Sequence, residues 1–239
     1  MSCLLEGKTE RYGDVRVRRG IGQKVLDCVT FPLRALCLFE DDKWMLSSLR
    51  TERFDYVARE VRGYCLDVGC GRHNLFVARV LAGRGKGIDV YSYEGLDEDN
   101  IVKDITHFPF PDSSFTSVTF IANINHVPEK DRDIELAEAY RCLEPGGNIV
   151  ITMGNPIAEI LVHRVVACYD WLFGTRHDMD AERGMNEDEE YYLRDSEILE
   201  HLYRAGFRDI MKKYFATQWG LNHLFVGLKP ADGHAHLSK

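Results

Sequence analysis

The chain has 239 residues, 45% of them hydrophobic, and a formal net charge of −8 at pH 7; this suits one compact domain with insertions and a real core better than two separate domains. A membrane span is not expected, because the most apolar region, Ile149 to Phe173, is interrupted by Glu159, His163, Arg164 and Asp170. Seven cysteines without a CxxC pair read as buried or free thiols, not as a zinc or disulfide framework, so no metal site is expected.

In chain order, the first residues, MSCLLEGKTE, show no basic segment followed by an apolar one, and with the free thiols this gives a cytoplasmic expectation. Residues 1–53 are expected to form an N-terminal helical cap. Within it VLDCVTFPLRALCLF is apolar enough to pack across a site or touch a lipid-like group. Trp44 to Val61 carries apolar residues at Met45, Leu49, Val57 and Val61, which predicts a leading helix. Tyr64 to Val68 is a short apolar run that predicts a strand, Asn74 to Ala82 predicts a helix closed by Gly83, and Lys86 to Tyr91 predicts a second strand. Two further β-branched runs, Val118 to Ala122 and Asn148 to Met153, flank a helical pattern over Asp131 to Leu143 that stops at Pro145-Gly146-Gly147. Strands alternating with helices predict a mostly parallel sheet covered on both faces.

After the last of these strands, Asn155-Pro156 opens an insertion at about 156–195 that is expected to act as a lid. Trp171, Tyr191 and Tyr192 are its candidate pocket aromatics and His177 a candidate base. The chain's negative charge concentrates here: residues 175–200 hold ten acids and three bases, whereas residues 1–24 hold six bases and three acids. Nucleic-acid affinity rests on Lys and Arg at phosphates, so no nucleic-acid partner is expected, and a neutral or cationic acceptor is favoured over a polyanion. ADGHAHLSK reads as a frayed tail, with 230–239 flexible.

The chemistry concentrates in CLDVGCGRHN, Cys65 to Asn74. In a parallel sheet ligands bind beyond the carboxyl ends of the strands where strand order reverses, and the first strand-to-helix turn is the usual cofactor contact. Gly69 and Gly71 let the backbone approach a ligand there, and Asn74 is placed to cap the helix that follows. A dinucleotide site would carry GxGxxG for its pyrophosphate. Here the fingerprint is incomplete, and Asp67, two residues before the first glycine, would repel a pyrophosphate but suits a cofactor carrying an ammonium group.

This arrangement resembles the class I S-adenosylmethionine-dependent methyltransferases, and further stretches match in order. KGIDVYS ends the second strand with Asp89, where the family places an acid on the ribose hydroxyls. KDITHFPFPDSSF resembles the stretch that meets the adenine, here through the Asp104 side chain and the Ile105 backbone. FIANINHVPE resembles the loop beneath the methionine part of the cofactor, where Asn123 and Asn125 offer amides. RCLEPGGNIVITM resembles the helix end, PGG turn and fifth strand, and LEHLYRAGFRDI with NHLFVGLKP resembles the last helix and closing antiparallel pair.

The resemblance covers roughly residues 54–229. It implies an α/β, Rossmann-like three-layer sandwich: a mostly parallel seven-stranded sheet with an antiparallel last strand, plus the N-terminal helices and the lid insertion. It also implies S-adenosylmethionine as cofactor, S-adenosylhomocysteine as product, and Asp67, Gly69, Gly71, Asp89, Asp104, Ile105 and Asn123 as cofactor-binding residues. His126, just after the fourth strand, is the candidate catalytic base.

Three features depart from the family's pattern. His73 replaces the third glycine, so a left-handed turn there would carry strain. Thr116 replaces the acid that commonly begins the fourth strand. The short spacing between Asp89 and Asp104 leaves no room for a full crossover helix plus strand, so that helix is expected to shrink to a turn around Glu94 to Asp99. The expected activity is methyl transfer to a small-molecule, glycan-precursor or lipid-like acceptor, with peripheral membrane contact open and the oligomeric state unspecified. The alternatives are a cofactor-binding protein of this fold without turnover, a nicotinamide-dependent dehydrogenase, and an RNA methyltransferase.

Overall fold

The computed structural model describes residues 19–37, 41–154 and 193–231. Helices α1 (Ile21–Cys37) and α2 (Leu49–Ala58) precede strand β1 (Cys65–Val68), and strands β2 (Gly85–Ile88) and β3 (Phe115–Ile121) follow. Helix α3 (Glu129–Cys142) leads into β4 (Leu143–Gly154), and helix α4 (Asp195–Ala205) into β5 (Arg208–Tyr214) and β6 (Asn222–Leu228). The sheet runs β2-β1-β3-β4-β6-β5, with only β6 antiparallel to its neighbours. Strand order reverses beside β1, so the carboxyl ends of β1, β2 and β3 frame the crevice in which such sheets hold ligands.

Both faces of the sheet are covered, which is why its strands read as nearly unbroken apolar runs. Leu66, Val68, Val118, Phe120, Ile149, Ile151 and Phe225 pack on one face beneath Leu136, Ala139 and Cys142 of α3 and Ile198 and Leu202 of α4. Cys65, Val150, Leu224 and Val226 pack on the other with Phe54 and Val57 of α2 and with Phe76 and Val80. Each such large side chain contributes about 1.5–3 kcal/mol.

Among the described residues the sheet has six strands where seven were expected. The missing one is reduced to a parallel bridge between Asp89 and Ile101. A short turn over Glu98–Asn100, capped by Asp97, stands for the crossover helix, in line with the short spacing before Asp104.

The helix expected over 74–82 is a single wide turn, Phe76–Val80, in which Leu81 N–H donates to Phe76 O at 3.0 Å. Left-handed residues bound it on both sides, His73 and Asn74 before it and Ala82 and Gly83 after it, and they leave room for nothing longer. Asn74 does not cap it: its Oδ1 is buried without a hydrogen-bond partner.

The leading helix starts later than Trp44. Trp44 and Met45 take left-handed backbone angles in a tight turn, and Ser48 then caps α2 by accepting from Thr51 N–H at 3.0 Å. The boundary expected between residues 53 and 54 therefore falls inside α2. The bulk of the lid, with Trp171, His177, Tyr191 and Tyr192, and nearly all of the tail lie outside the described residues.

Helix α1 is tied to the body by buried charge. Arg19 contacts Asp27 at 2.6 Å, Glu52 at 3.1 Å and Asp55 at 3.0 Å. Arg34 contacts Glu52 at 3.0 Å and donates to Ser47 O at 2.8 Å. Gln218, beyond β5, donates to the same Glu52 carboxylate at 2.8 Å. Pro32 lies inside α1 and, lacking an N–H, leaves the carbonyl of Cys28 without its helical partner. The indole Nε1 of Trp219 donates to that carbonyl at 2.9 Å, so a proline in the helix creates an acceptor that the β5–β6 turn fills.

Candidate functional site

At the end of β1 the chain turns through Gly69 and Gly71, both with positive φ, +72° and +63°. The two glycines do different work. A Cβ on Gly69 would sit 2.3 Å from the side chain of Asn123, so this glycine makes room for the loop after β3; Asn123 in turn donates from Nδ2 to Val68 O at 3.3 Å. A Cβ on Gly71 would meet nothing within 4 Å. It would project into the open space that a ligand at this turn would use.

Asp89 sits one residue past β2 with its carboxylate buried. One oxygen accepts Gly71 N–H at 2.9 Å and the other accepts Tyr91 N–H at 3.0 Å. Asp89 therefore joins the glycine turn to the loop after β2, and each oxygen keeps a lone pair for a further donor. The residue at the missing third glycine reinforces the same junction. His73 does take a left-handed conformation, φ 62° and ψ 7°, so the strain foreseen there is present. Its N–H donates to Glu94 O at 2.9 Å, and its ring fills the space beside Gly95.

Asp67 is placed differently from expectation. Its side chain is only 2% exposed and does not reach the surface of the turn. The β1–β3 register sets it opposite Thr119, whose hydroxyl donates to it at 2.6 Å. Burial pushes its pKa up to about 7, with the Asp89 charge adding to the rise and the Thr119 bond opposing it.

Asp104 and Ile105 stand in the loop that leaves the Asp89–Ile101 bridge. The exposed Asp104 carboxylate accepts Thr106 N–H at 2.9 Å and Thr106 Oγ1 at 2.5 Å, and these bonds hold its pKa below the usual carboxylate range. The rest of the loop is latched from α3. Arg141 donates to the carbonyls of Phe108 and Phe110, and Glu138 accepts Phe108 N–H at 2.8 Å.

Beyond β3, Ala122 N–H donates to Thr152 Oγ1 at 2.8 Å, and His126 N–H donates to Asn123 O at 2.8 Å. The half-buried His126 is thus fixed on the turn that contacts Gly69. Direct contacts bring together Gly69, Gly71, Asp89 and Asn123, with His126 joined through Asn123. Asp67 lies beneath them, and Asp104 and Ile105 lie three and four residues past the bridge at the Asp89 side.

Glu135 was not foreseen. It lies on the inner face of α3 with Arg132, Leu136 and Ala139, and its Oε2 has no hydrogen-bond partner. Burial raises its pKa to about 8, with Asp131 and Asp89 contributing. An acid at a helical spacing shared with buried apolar residues was the available signal. Asp67 and Glu135 both feel the charge of Asp89, and among the described residues none of these three buried acids pairs with Lys, Arg or His.

The Asp89 carboxylate beside an open glycine turn, with two further buried acids of raised pKa nearby, fits a cofactor that bears positive charge and ribose hydroxyls. It does not fit a diphosphate.

Residues 66–151 match a family described as "Methyltransferase domain". Among curated relatives, the ubiquinone/menaquinone biosynthesis C-methyltransferase UbiE of Desulfotalea psychrophila is 30% identical over 147 residues, 55% of this chain and 56% of the relative. The UbiE of Saccharophagus degradans is 26% identical over 133 residues, 53% of this chain and 52% of the relative. The chain therefore spans about half the length of these curated relatives.

Among solved structures, a SAM-dependent methyltransferase from Methanosarcina mazei superposes with a TM-score of 0.51 at 19% identity, covering 74% of this chain and 98% of its own. The [4+2]-cyclase SpnF gives 0.53 at 17%, covering 88% and 95%. These likenesses establish the fold. With the domain match over residues 66–151, they show that the chain carries a methyltransferase-like α/β fold.

Proposed function

We propose that the chain transfers a methyl group from S-adenosylmethionine to a small-molecule or lipid-like acceptor held over the carboxyl ends of β3 and β4. The observation that carries the cofactor half of this reading is the cluster of buried acids, Asp67, Asp89 and Glu135, beside the open turn at Gly71. Asp89 would receive the ribose hydroxyls on the lone pairs its backbone contacts leave over. Asp104 and the Ile105 backbone would border the adenine, and Asn123 would face the methionine part. Asp67, being buried, would act through its charge and not by contact.

Bound S-adenosylmethionine supplies a sulfonium methyl that is already a good electrophile. The chain's task is then to place the acceptor in line and exclude water. His126 is the candidate to take a proton from an oxygen acceptor, whereas an amine or carbanion would need positioning alone. The named relatives act in quinone biosynthesis, which supports an apolar acceptor.

Calorimetric titration tests the cofactor assignment. S-adenosylmethionine and S-adenosylhomocysteine should bind and NAD should not. Asp89→Ala should weaken binding by about 1–3 kcal/mol, because it removes a charge-assisted hydrogen-bond acceptor from the ribose. Undiminished binding by this variant would remove Asp89 from the ribose site, and NAD binding would return the dehydrogenase reading. SpnF carries the fold under the description of a cyclase. Transfer of labelled methyl to polar metabolites or to lipid extracts must therefore be measured separately, and cofactor binding without transfer to either would favour the non-catalytic alternative.

A further inference from the structure

We propose that the outer face of α1 docks on the interfacial plane of an anionic lipid bilayer. Ile21, Val25, Val29 and Leu33 recur every fourth residue along this helix and are between 53 and 82% exposed. Met45, beside Gln23, and Trp219, beside Cys28 and Phe31, extend the apolar surface on either side, and both are more than half exposed. A contiguous patch of this kind is uncommon on a soluble surface and marks a binding face.

The face has a fixed direction. Asp27 and Arg34, on the opposite side of α1, are locked in the ion-pair cluster with Arg19, Glu52 and Asp55, so the helix does not roll to bury its apolar ridge. Trp219 spends its indole N–H on Cys28 O and still presents much of its ring outward, as interfacial tryptophans do.

Charge selects the occupant. Helix α1 carries three charged residues, and burial of Asp27 and Arg34 leaves Lys24 as its only charge in contact with solvent. Exposed Lys43 lies two residues before Met45, and its acidic neighbours are engaged elsewhere, Asp41 with Arg50 at 2.6 Å and Asp42 with Ser48 N–H at 2.7 Å. Lys24 and Lys43 thus lie beside the apolar ridge, the combination that binds anionic headgroups while burying aliphatic side chains at the acyl boundary. This goes beyond methyl transfer and stands or falls apart from it.

Vesicle flotation of the full chain tests the surface. The protein should float with phosphatidylcholine vesicles containing phosphatidylglycerol, far less with phosphatidylcholine alone, and the bound fraction should drop with added salt. Val29→Asp should lower partitioning by about tenfold or more, Val29→Leu should preserve it, and Lys24→Glu should abolish the preference for phosphatidylglycerol. S-adenosylmethionine titration of each variant reports an intact fold and separates this outcome from the cofactor assignment. The proposal is overturned if the wild type stays in the soluble fraction with both vesicles, or if Val29→Asp floats as well as the wild type. It is equally overturned if the face instead joins two copies, seen as a dimer that Val29→Asp dissociates without any vesicle binding.

Discussion

The joint between α1 and α2 and the crevice over β1, β2 and β3 both bury carboxylates, yet they treat the charge in opposite ways. In the joint, Asp27, Glu52 and Asp55 meet Arg19, Arg34 and Arg59, three acids against three bases, with Gln218 and Ser47 occupying further acceptor positions. In the crevice, Asp67, Asp89 and Glu135 have no basic partner among the described residues, and the contacts they do make are to backbone N–H groups and one hydroxyl. A matched buried cluster completes itself and serves as structure. An unmatched one is relieved in part by protonation, with the pKa values of Asp67 and Glu135 raised, and a nearby cationic ligand would favour loss of those protons.

Four substitutions probe this contrast, beginning with the joint. Glu52→Ala strips the carboxylate shared by Arg19, Arg34 and Gln218, and it should destabilise the protein by about 3–5 kcal/mol, measured by urea unfolding. A loss below about 1 kcal/mol would mean that the joint is ornamental and the comparison fails.

In the crevice the expected sign is reversed, because Asp67 is held there at a cost. With its pKa raised to about 7 in the folded chain and near 3.9 unfolded, the folded state retains a proton that the unfolded state has lost. The stability this contributes is present below about pH 4 and disappears as pH rises to about 7. Asp67→Asn, which still accepts from Thr119, should remove that slope and gain on the wild type by on the order of 2–4 kcal/mol between the two ends of the window. Parallel stability–pH profiles for the two proteins would show that Asp67 ionises as freely as in water.

The smallest stability effect belongs to the glycine pair. Gly71→Ala faces only backbone strain, about 1–2 kcal/mol, but should reduce S-adenosylmethionine affinity because its methyl enters the ligand's space. Gly69→Ala adds a clash with Asn123 and should cost more stability than Gly71→Ala does. If both variants bind cofactor normally, the open space at Gly71 is not where the cofactor lies.

Much of the crevice was legible in the sequence because it is built from local spacing. Asp67, Gly69 and Gly71 follow one another at the end of a strand, and Asp89 closes the next strand. The short interval to Asp104 foretold the loss of the crossover helix and agrees with a third strand pared down to a bridge. The orientation of Asp67 was not legible, since it depends on which residue of β3 comes to lie opposite, a register decided by the whole sheet. His73 could be recognised as a departure, but what holds it in a strained conformation lies on a loop some twenty residues further on. The joint was invisible: it links residues 8, 36 and 166 positions apart, and no periodic pattern announces such a meeting. Arg19 and Arg34 read as ordinary solvated bases until the cluster is seen.

The interruption at Pro32 has a mechanical consequence. The hydrogen bond that would have run along α1 runs outward instead, into the turn that starts β6, and β6 is laced to the end of β4 along its full length. A force that tilts the helix is therefore borne by the sheet beside the candidate site and not absorbed by a soft hinge, so whatever the helix rests on and whatever that edge holds are felt through a single stiff connection.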